Sequence, residues 1–274
     1  MQIALVILYG LLGAFVGVAL DLVADRMPKR VPLFQGRPAC EICGAGWRWQ
    51  ELLPVWGYLQ RRGRCSACEA RLPWRTLLLP IVTALVFGWL AWFRGLSFEL
   101  LADSVYSGFL IVIAVIDLEH KLILNRVVFP ALWATVGLMV LRVLLDLPRY
   151  LHYGYWLAAG WAPGQETALV GALSQGAGAL FGFGVFFILH LVSPRGMGDG
   201  DVRLATLGGL ITGFPGALAV VFGSFFLFGP VGVLLLFIGK EGRKTPVPFG
   251  PFLVLSTWAV MLWGDGWLLR YLQG

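Results

Sequence analysis

Long apolar runs, separated by short polar stretches bearing glycine and proline, fill most of the chain. A hydrocarbon core about 30 Å thick takes roughly 20 apolar residues in an α-helix. Runs near that length fall at 3–24, 77–94, 97–117, 127–145, 168–192, 216–239 and 250–269. An eighth stretch, VRLATLGGLIT, follows Asp201 and ends at Thr212; it is too short to span unless it is tilted or partly re-entrant. The pattern predicts an all-α polytopic membrane protein with about eight transmembrane helices, one of them short. No small-residue cleavage site follows the first run before Arg26, so that run is expected to be retained as a helix. Residues 26–75 differ in character, because they contain no spanning run and hold all four cysteines. They read as a small cytosolic insert, which divides the chain into a first transmembrane helix at 1–25, the insert at 26–75 and a membrane core at 76–274.

Composition agrees with this pattern. The chain of 274 residues is 58% hydrophobic and 13% charged, against roughly 25% charged in a soluble domain, which excludes both disorder and an ordinary soluble globule. The 36 glycines and 12 tryptophans suit helices packed closely in lipid with aromatic anchors at its surfaces. The net charge of +6 implies no nucleic-acid partner, because membrane proteins accumulate basic residues in cytoplasmic loops. The insert holds ten of them, from Arg26 to Arg75. Placing it inside and alternating through eight spans adds Lys121, Arg126, Arg195, Arg203, Lys240, Arg243 and Lys244 to that side and leaves Arg94, Arg142, Arg149 and Arg270 outside, 17 against 4. The N-terminus is thereby expected outside.

The cysteines form two pairs, Cys40-Glu-Ile-Cys43 and Cys65-Ser-Ala-Cys68. Each pair can turn two thiolates toward one ion, and four thiolates complete the closed tetrahedral site of structural zinc. Disulfides or free thiols are the alternative; a reducing cytosol disfavours disulfides. Arg64 is placed to help keep the thiolates deprotonated.

Charges within spans are costly and mark candidates for function. Asp117 ends an uncharged run that starts at Ser104, and Asp199 and Asp201 lie in RGMGDGDVRL before the short helix. The topology puts all three at the cytoplasmic face. Gly196, Gly198 and Gly200 alternate with Met197, Asp199 and Asp201, so the backbone there can approach a neighbour closely. A carboxylate just before a helix faces the positive end of the helix dipole. Two neighbouring carboxylates do not both ionise easily, so one holds a proton while the other acts as a base, which is what activating water against a peptide carbonyl requires. A structural alternative stands beside this, with Asp201 as a cap of a helix opening at Val202. Asp21 and Asp25 are expected to pair with Arg26 or Lys29, and Glu99 and Asp103 to meet water at the outer interface. His190 is expected in a structural hydrogen bond, and Glu119 and His120 in a solvated loop near Asp117. Gly13-x-x-x-Gly17 and Gly178-x-x-x-Gly182 read as packing faces.

Taken in order, these motifs resemble the type IV prepilin peptidases, the bifunctional leader peptidases and N-methyltransferases of pilus and type II secretion systems. The resemblance rests on Asp21–Pro28, Cys40-x-x-Cys43, Arg62-Arg-Gly-Arg-Cys65-x-x-Cys68, Ile116-Asp117-Leu-Glu-His120 with Ile123-Leu-Asn125, and Gly198-Asp-Gly-Asp201-Val-Arg-Leu204. Leu124, Asp21 and Pro80 stand where the family commonly has Pro, Asn and Glu, the last two in the part linked to methyl transfer. Gly-x-Gly-Asp fits both 196–199 and 198–201; the following Val202-Arg203-Leu204 selects the second register, with Asp199 as an extra acid. The resemblance implies an aspartyl protease core at 76–274, catalysis by Asp117 and Asp201 supported by Gly198, Gly200 and Asp199, prepilin or pseudopilin substrates cut at the cytoplasmic face of the inner membrane, and S-adenosylmethionine as methyl donor. A proton-coupled transporter would instead predict acids at midplane and inverted repeats, neither of which the sequence displays. A non-catalytic assembly factor with a zinc module would make the aspartates dispensable.

Overall fold

The computed structural model describes residues 2–32, 40, 42–47, 53–157, 168–193, 197–238 and 248–273. Among these, regular structure is helical, and Arg64 and Arg71 form an isolated antiparallel bridge. All eight predicted segments contain a helix, and a short ninth lies in the insert. The chain divides into two compact units, Met1–Ile116 and Asp117–Gly274.

In the first unit, α1 (Gln2–Arg26) lies along α3 (Arg75–Arg94), and α4 (Phe98–His120) begins here. Gln2 reaches the Trp92 carbonyl at 3.1 Å while Asp21 meets Arg75 at 2.6 Å, so α1 and α3 run antiparallel. Their contact is made by small residues, as predicted. A Cβ on Gly13 would lie 2.7 Å from the Thr83 carbonyl, and one on Gly17 would lie 2.6 Å from the Pro80 Cα. The ion pairs depart from expectation. Asp25 does pair with Lys29 at 2.8 Å, but Asp21 pairs with Arg75. Asp103 is buried against Arg94 at 2.8 Å rather than solvated. Both corrections have one cause: each acid faces a cation on the neighbouring helix, and lateral partners depend on helix rotation, which sequence spacing does not fix. The short α2 (Trp56–Gln60) belongs to the insert.

The second unit holds the last turn of α4, then α5 (Asn125–Leu157), α6 (Ala168–Val192), α7 (Asp199–Thr212), α8 (Gly216–Ile238) and α9 (Gly250–Gln273). Among the described residues, six helices are long and apolar enough to cross a membrane; α9 has a shorter apolar stretch, Gly250–Trp263. The short α7 packs against α5, α6, α8 and α9. Residues from Val202 to Ile211 are buried around most of its circumference, as befits a helix enclosed by others. Gly178 and Gly182 of α6 lie directly on the Gly209 and Ala205 carbonyls, so any side chain there would separate the helices. Glu119 and His120 complete α4 as exposed helical residues and not as loop. Arg37, Arg48, Arg195, Lys240, Arg243 and Lys244, which contribute to the charge count, and Gly196 of the alternative register lie outside the described residues.

Candidate active site

Asp117 sits in the last turn of α4 and is 4% exposed. Its carboxylate accepts a hydrogen bond from the Gly250 N–H, the first residue of α9, at 2.9 Å. A Cβ on Gly250 would come within 2.5 Å of the same carboxylate oxygen, so the acid is seated against bare backbone at the positive end of a helix. Phe249, next in chain, packs among Phe186, Phe225 and Phe228 and fixes that amide.

Asp201 lies in the first turn of α7, which opens at Asp199, three residues before the predicted start at Val202. Its carboxylate accepts from the Gly198 N–H at 3.1 Å, while its own N–H donates to the Gly198 carbonyl at 3.1 Å. The expected cap is displaced: Gly198 is the N-cap and Asp201 is the third residue of the helix, returning its carboxylate to the Gly198 amide, a bond that aims the carboxylate and leaves it further acceptor positions. The first turn of α7 lies against the segment leaving α4, where Gly200 meets Ile123 and Arg203 meets Asn125, so Asp201 stands at the same end of α4 as Asp117. Among the described residues neither has a cationic partner. Gly200 permits this approach: a Cβ there would lie 2.6 Å from the Ile123 Cβ, in the segment leaving α4. Gly198 has φ −80° and room for a side chain.

Asp199 stands apart from the pair. Its side chain is 66% exposed and meets His190 Nε2 at 3.2 Å and Arg203 at 3.5 Å. His190 also contacts the Met197 carbonyl through Nδ1 at 2.8 Å, the structural hydrogen bond expected of it. Arg203 donates to Asn125 Oδ1 at 2.5 Å and lies over the Phe129 ring.

The four cysteine sulfurs lie within 4.8 Å of one another. Both pairs sit on the same turn: Cys40 N–H reaches the Ala45 carbonyl and Gly44 N–H the Cys40 carbonyl, while Cys65 N–H reaches the Ala70 carbonyl and Glu69 N–H the Cys65 carbonyl. Gly44 and Glu69 both take positive φ, +70° and +56°. The insert therefore contains a two-fold repeated knuckle that its side chains conceal. The Ala67 and Cys68 amides hold the Cys65 thiol down to about 6. Four converging sulfurs with a thiolate already favoured form a donor set that fits one tetrahedral metal ion.

With this geometry in view, comparison with known proteins is decisive. The profile of the bacterial peptidase A24 N-terminal domain matches residues 11–94, and that of the type IV leader peptidase family matches residues 104–233. The prepilin leader peptidase/N-methyltransferase of Pseudomonas aeruginosa is 30% identical over 96% of this chain and 92% of its own length. This chain belongs to the type IV leader peptidase family. Similar proteins of the same name occur in Pseudomonas putida, 31% identical over 93% of this chain and 89% of that protein, and in Bacillus subtilis, 25% identical over 99% and 98%. No solved structure matches.

Two partnerships are not visible in the sequence. Gly250 lies in Pro248-Phe249-Gly250-Pro251; a glycine between prolines signals a helix start but does not reveal that Asp117 receives its amide. Arg75 reads as the last residue of the insert, and nothing local points to its structural partner Asp21, 54 positions earlier.

Proposed function

We propose that this chain is a multi-pass membrane aspartyl endopeptidase that removes the basic leader of type IV prepilin-like proteins, with Asp117 and Asp201 as its catalytic pair. The observation that carries the assignment of residues is that two carboxylates stand at the same end of α4, each held by a helix-start amide and neither matched by a cation among the described residues. Such a pair shares one proton. The ionised member takes a proton from water, whose oxygen adds to the scissile carbonyl carbon. The protonated member then gives its proton to the amide nitrogen as the C–N bond breaks, so the pair returns to one proton. Gly198 and Gly200 serve by their backbone, and Asp199 lies outside the chemistry.

The same chain N-methylates the new N-terminus; S-adenosylmethionine, when bound, supplies the methyl group. Cys40, Cys43, Cys65 and Cys68 hold one structural zinc, so that 26–75 is a metal-dependent insert between a first helix at 1–25 and the protease core at 76–274. Insert and aspartates face the cytoplasm at the inner membrane, where prepilin or pseudopilin leaders are presented.

The direct test incubates the purified protein in lipid with prepilins and weighs the products. Asp117→Asn and Asp201→Asn are each expected to abolish leader removal; full cleavage by either would overturn the assignment. Metal analysis of protein purified without chelator is expected to give one zinc per chain, lost in Cys43→Ser while the helices stay inserted, because the binding energy of the ion is the folding energy of the insert.

A further inference from the structure

The insert is tethered at both ends to spanning helices. Because α1 and α3 are antiparallel, Arg26 and Arg75 emerge at one end of the pair, so the segment between them is tethered at that end. A segment so placed exposes large apolar side chains. Leu53, just before α2, and Trp56 and Leu59 within it are 44%, 63% and 56% exposed, and Trp74, directly before the α3 span, is 67% exposed. Tyr58, between them in sequence, turns instead toward Gly63. Outside a bilayer such exposure marks a contact surface, and tryptophan is the residue that settles at the boundary of headgroup and acyl chain.

Charge indicates what that surface meets. Residues 27–74 hold eight basic side chains against three acidic ones. Two net negative charges from a four-thiolate site with a divalent ion would still leave the segment basic. Arg64 and Arg71 face one another across the isolated antiparallel bridge, backed by the Leu72 N–H donating to the Gly63 carbonyl at 2.8 Å. Both are exposed, and neither makes an ion pair among the described residues. Like charges opposed across a bridge repel, and two adjacent guanidinium groups suit the oxygens of a phosphate.

We propose that the insert is a lipid-docking module, with Leu53, Trp56 and Leu59 entering the interface and Arg64 and Arg71 engaging anionic headgroups. Continuity with α3 through Trp74 commits the surface to the membrane in which the protein already sits. The proposal does not depend on which residues cleave, so it stands or falls apart from the catalytic assignment.

The test places a photoreactive benzoylphenylalanine at Leu59 in the full chain. The protein is reconstituted once in phosphatidylcholine and once in phosphatidylcholine with phosphatidylglycerol, and the adducts are identified by mass. Docking predicts lipid adducts that are enriched in the anionic bilayer, with yield falling about five-fold for each arginine removed in Arg64→Gln and Arg71→Gln. No lipid adduct, equal yield in both bilayers, or cross-links to protein alone would each overturn it. The bilayer comparison uses one chain, so it decides the matter even where an arginine variant fails to fold.

Discussion

Each unit buries a carboxylate near a helix end, and the two are treated in opposite ways. In the first unit Asp21 is 8% exposed and receives Arg75, itself 8% exposed, at 2.6 Å, with Asp25 on the same guanidinium at 3.3 Å. In the second unit Asp117 is buried as deeply but receives a backbone amide, with the α7 turn that bears Asp201 packed against the segment that follows it. A carboxylate matched by arginine is committed to an ion pair that helps to lock helices together. A carboxylate matched by a helix amide and no cation remains free to exchange a proton. Burial alone therefore does not separate a structural acid from a chemical one; the identity of its partner does.

The largest effect that sharpens this contrast comes from neutralising the acids. Asp201→Asn and Asp117→Asn keep shape and hydrogen bonding yet remove the exchangeable proton, so leader cleavage should fall by at least the roughly 10²–10⁴-fold attached to general acid–base groups. Asp21→Asn, measured beside them by mass analysis of the same prepilin, should retain cleavage in whatever fraction of the protein remains folded. Equal loss of specific activity in all three would erase the distinction between the units.

Next come the glycines that seat the acids. Gly250→Ala sets a Cβ against the Asp117 carboxylate, and Gly200→Ala sets one against Ile123. Each should displace its acid by a good part of an ångström, which costs on the order of 10²-fold in rate. Gly198→Ala, where the nearest atom to a new Cβ is an Asp201 oxygen at 3.7 Å, should cleave nearly normally. Turnover that ranks these three otherwise would mean that backbone approach does not position the pair.

A third measurement probes the opposite side of the comparison. Arg75→Gln strands Asp21 in a buried site, and breaking a buried pair from one side costs about 3–5 kcal/mol. The melting temperature in detergent should drop clearly, and it should recover in part when Asp21→Asn is added, because the second change removes the stranded charge. A double variant no more stable than Arg75→Gln would show that the pair is not what joins α1 to α3 there.

How much of this was legible in the sequence follows from the physics of each feature. The helices were, because lipid demands that every spanning segment satisfy its own backbone hydrogen bonds, and apolar length records that demand. The cysteine centre was, since its ligands come in local pairs whose spacing suffices. The aspartates could be chosen as candidates because charge in a span is rare. What stayed hidden was lateral: Arg75 opposite Asp21, Arg94 beside Asp103, the Gly250 amide on Asp117. Each joins separate segments through helix rotation and depth, which one-dimensional spacing does not encode. The beginning of α7 was misjudged for a related reason, because Asp199 and Gly200 read as loop by composition and become helix only as Asp201 closes its first turn back onto Gly198.

The smallest effect is reserved for Asp199, and its smallness is informative. It lies two residues from Asp201 and fits the same glycine motif in a shifted register, so sequence alone left a choice between them. Its carboxylate is 66% exposed and engages His190 and Arg203, and exposed pairs of this kind contribute about 0–1 kcal/mol. Asp199→Asn retains an oxygen that can accept from either partner, so cleavage should stay within about five-fold of the unaltered protein, while Asp201→Asn under the same assay is inactive. The contrast between two neighbouring acids, one matched by an arginine and a histidine and one without a cation among the described residues, repeats on one helical turn the contrast between the two units. An inactive Asp199→Asn with an active Asp201→Asn would shift the catalytic register back by two residues and make partner identity a poor guide to which carboxylate does the chemistry.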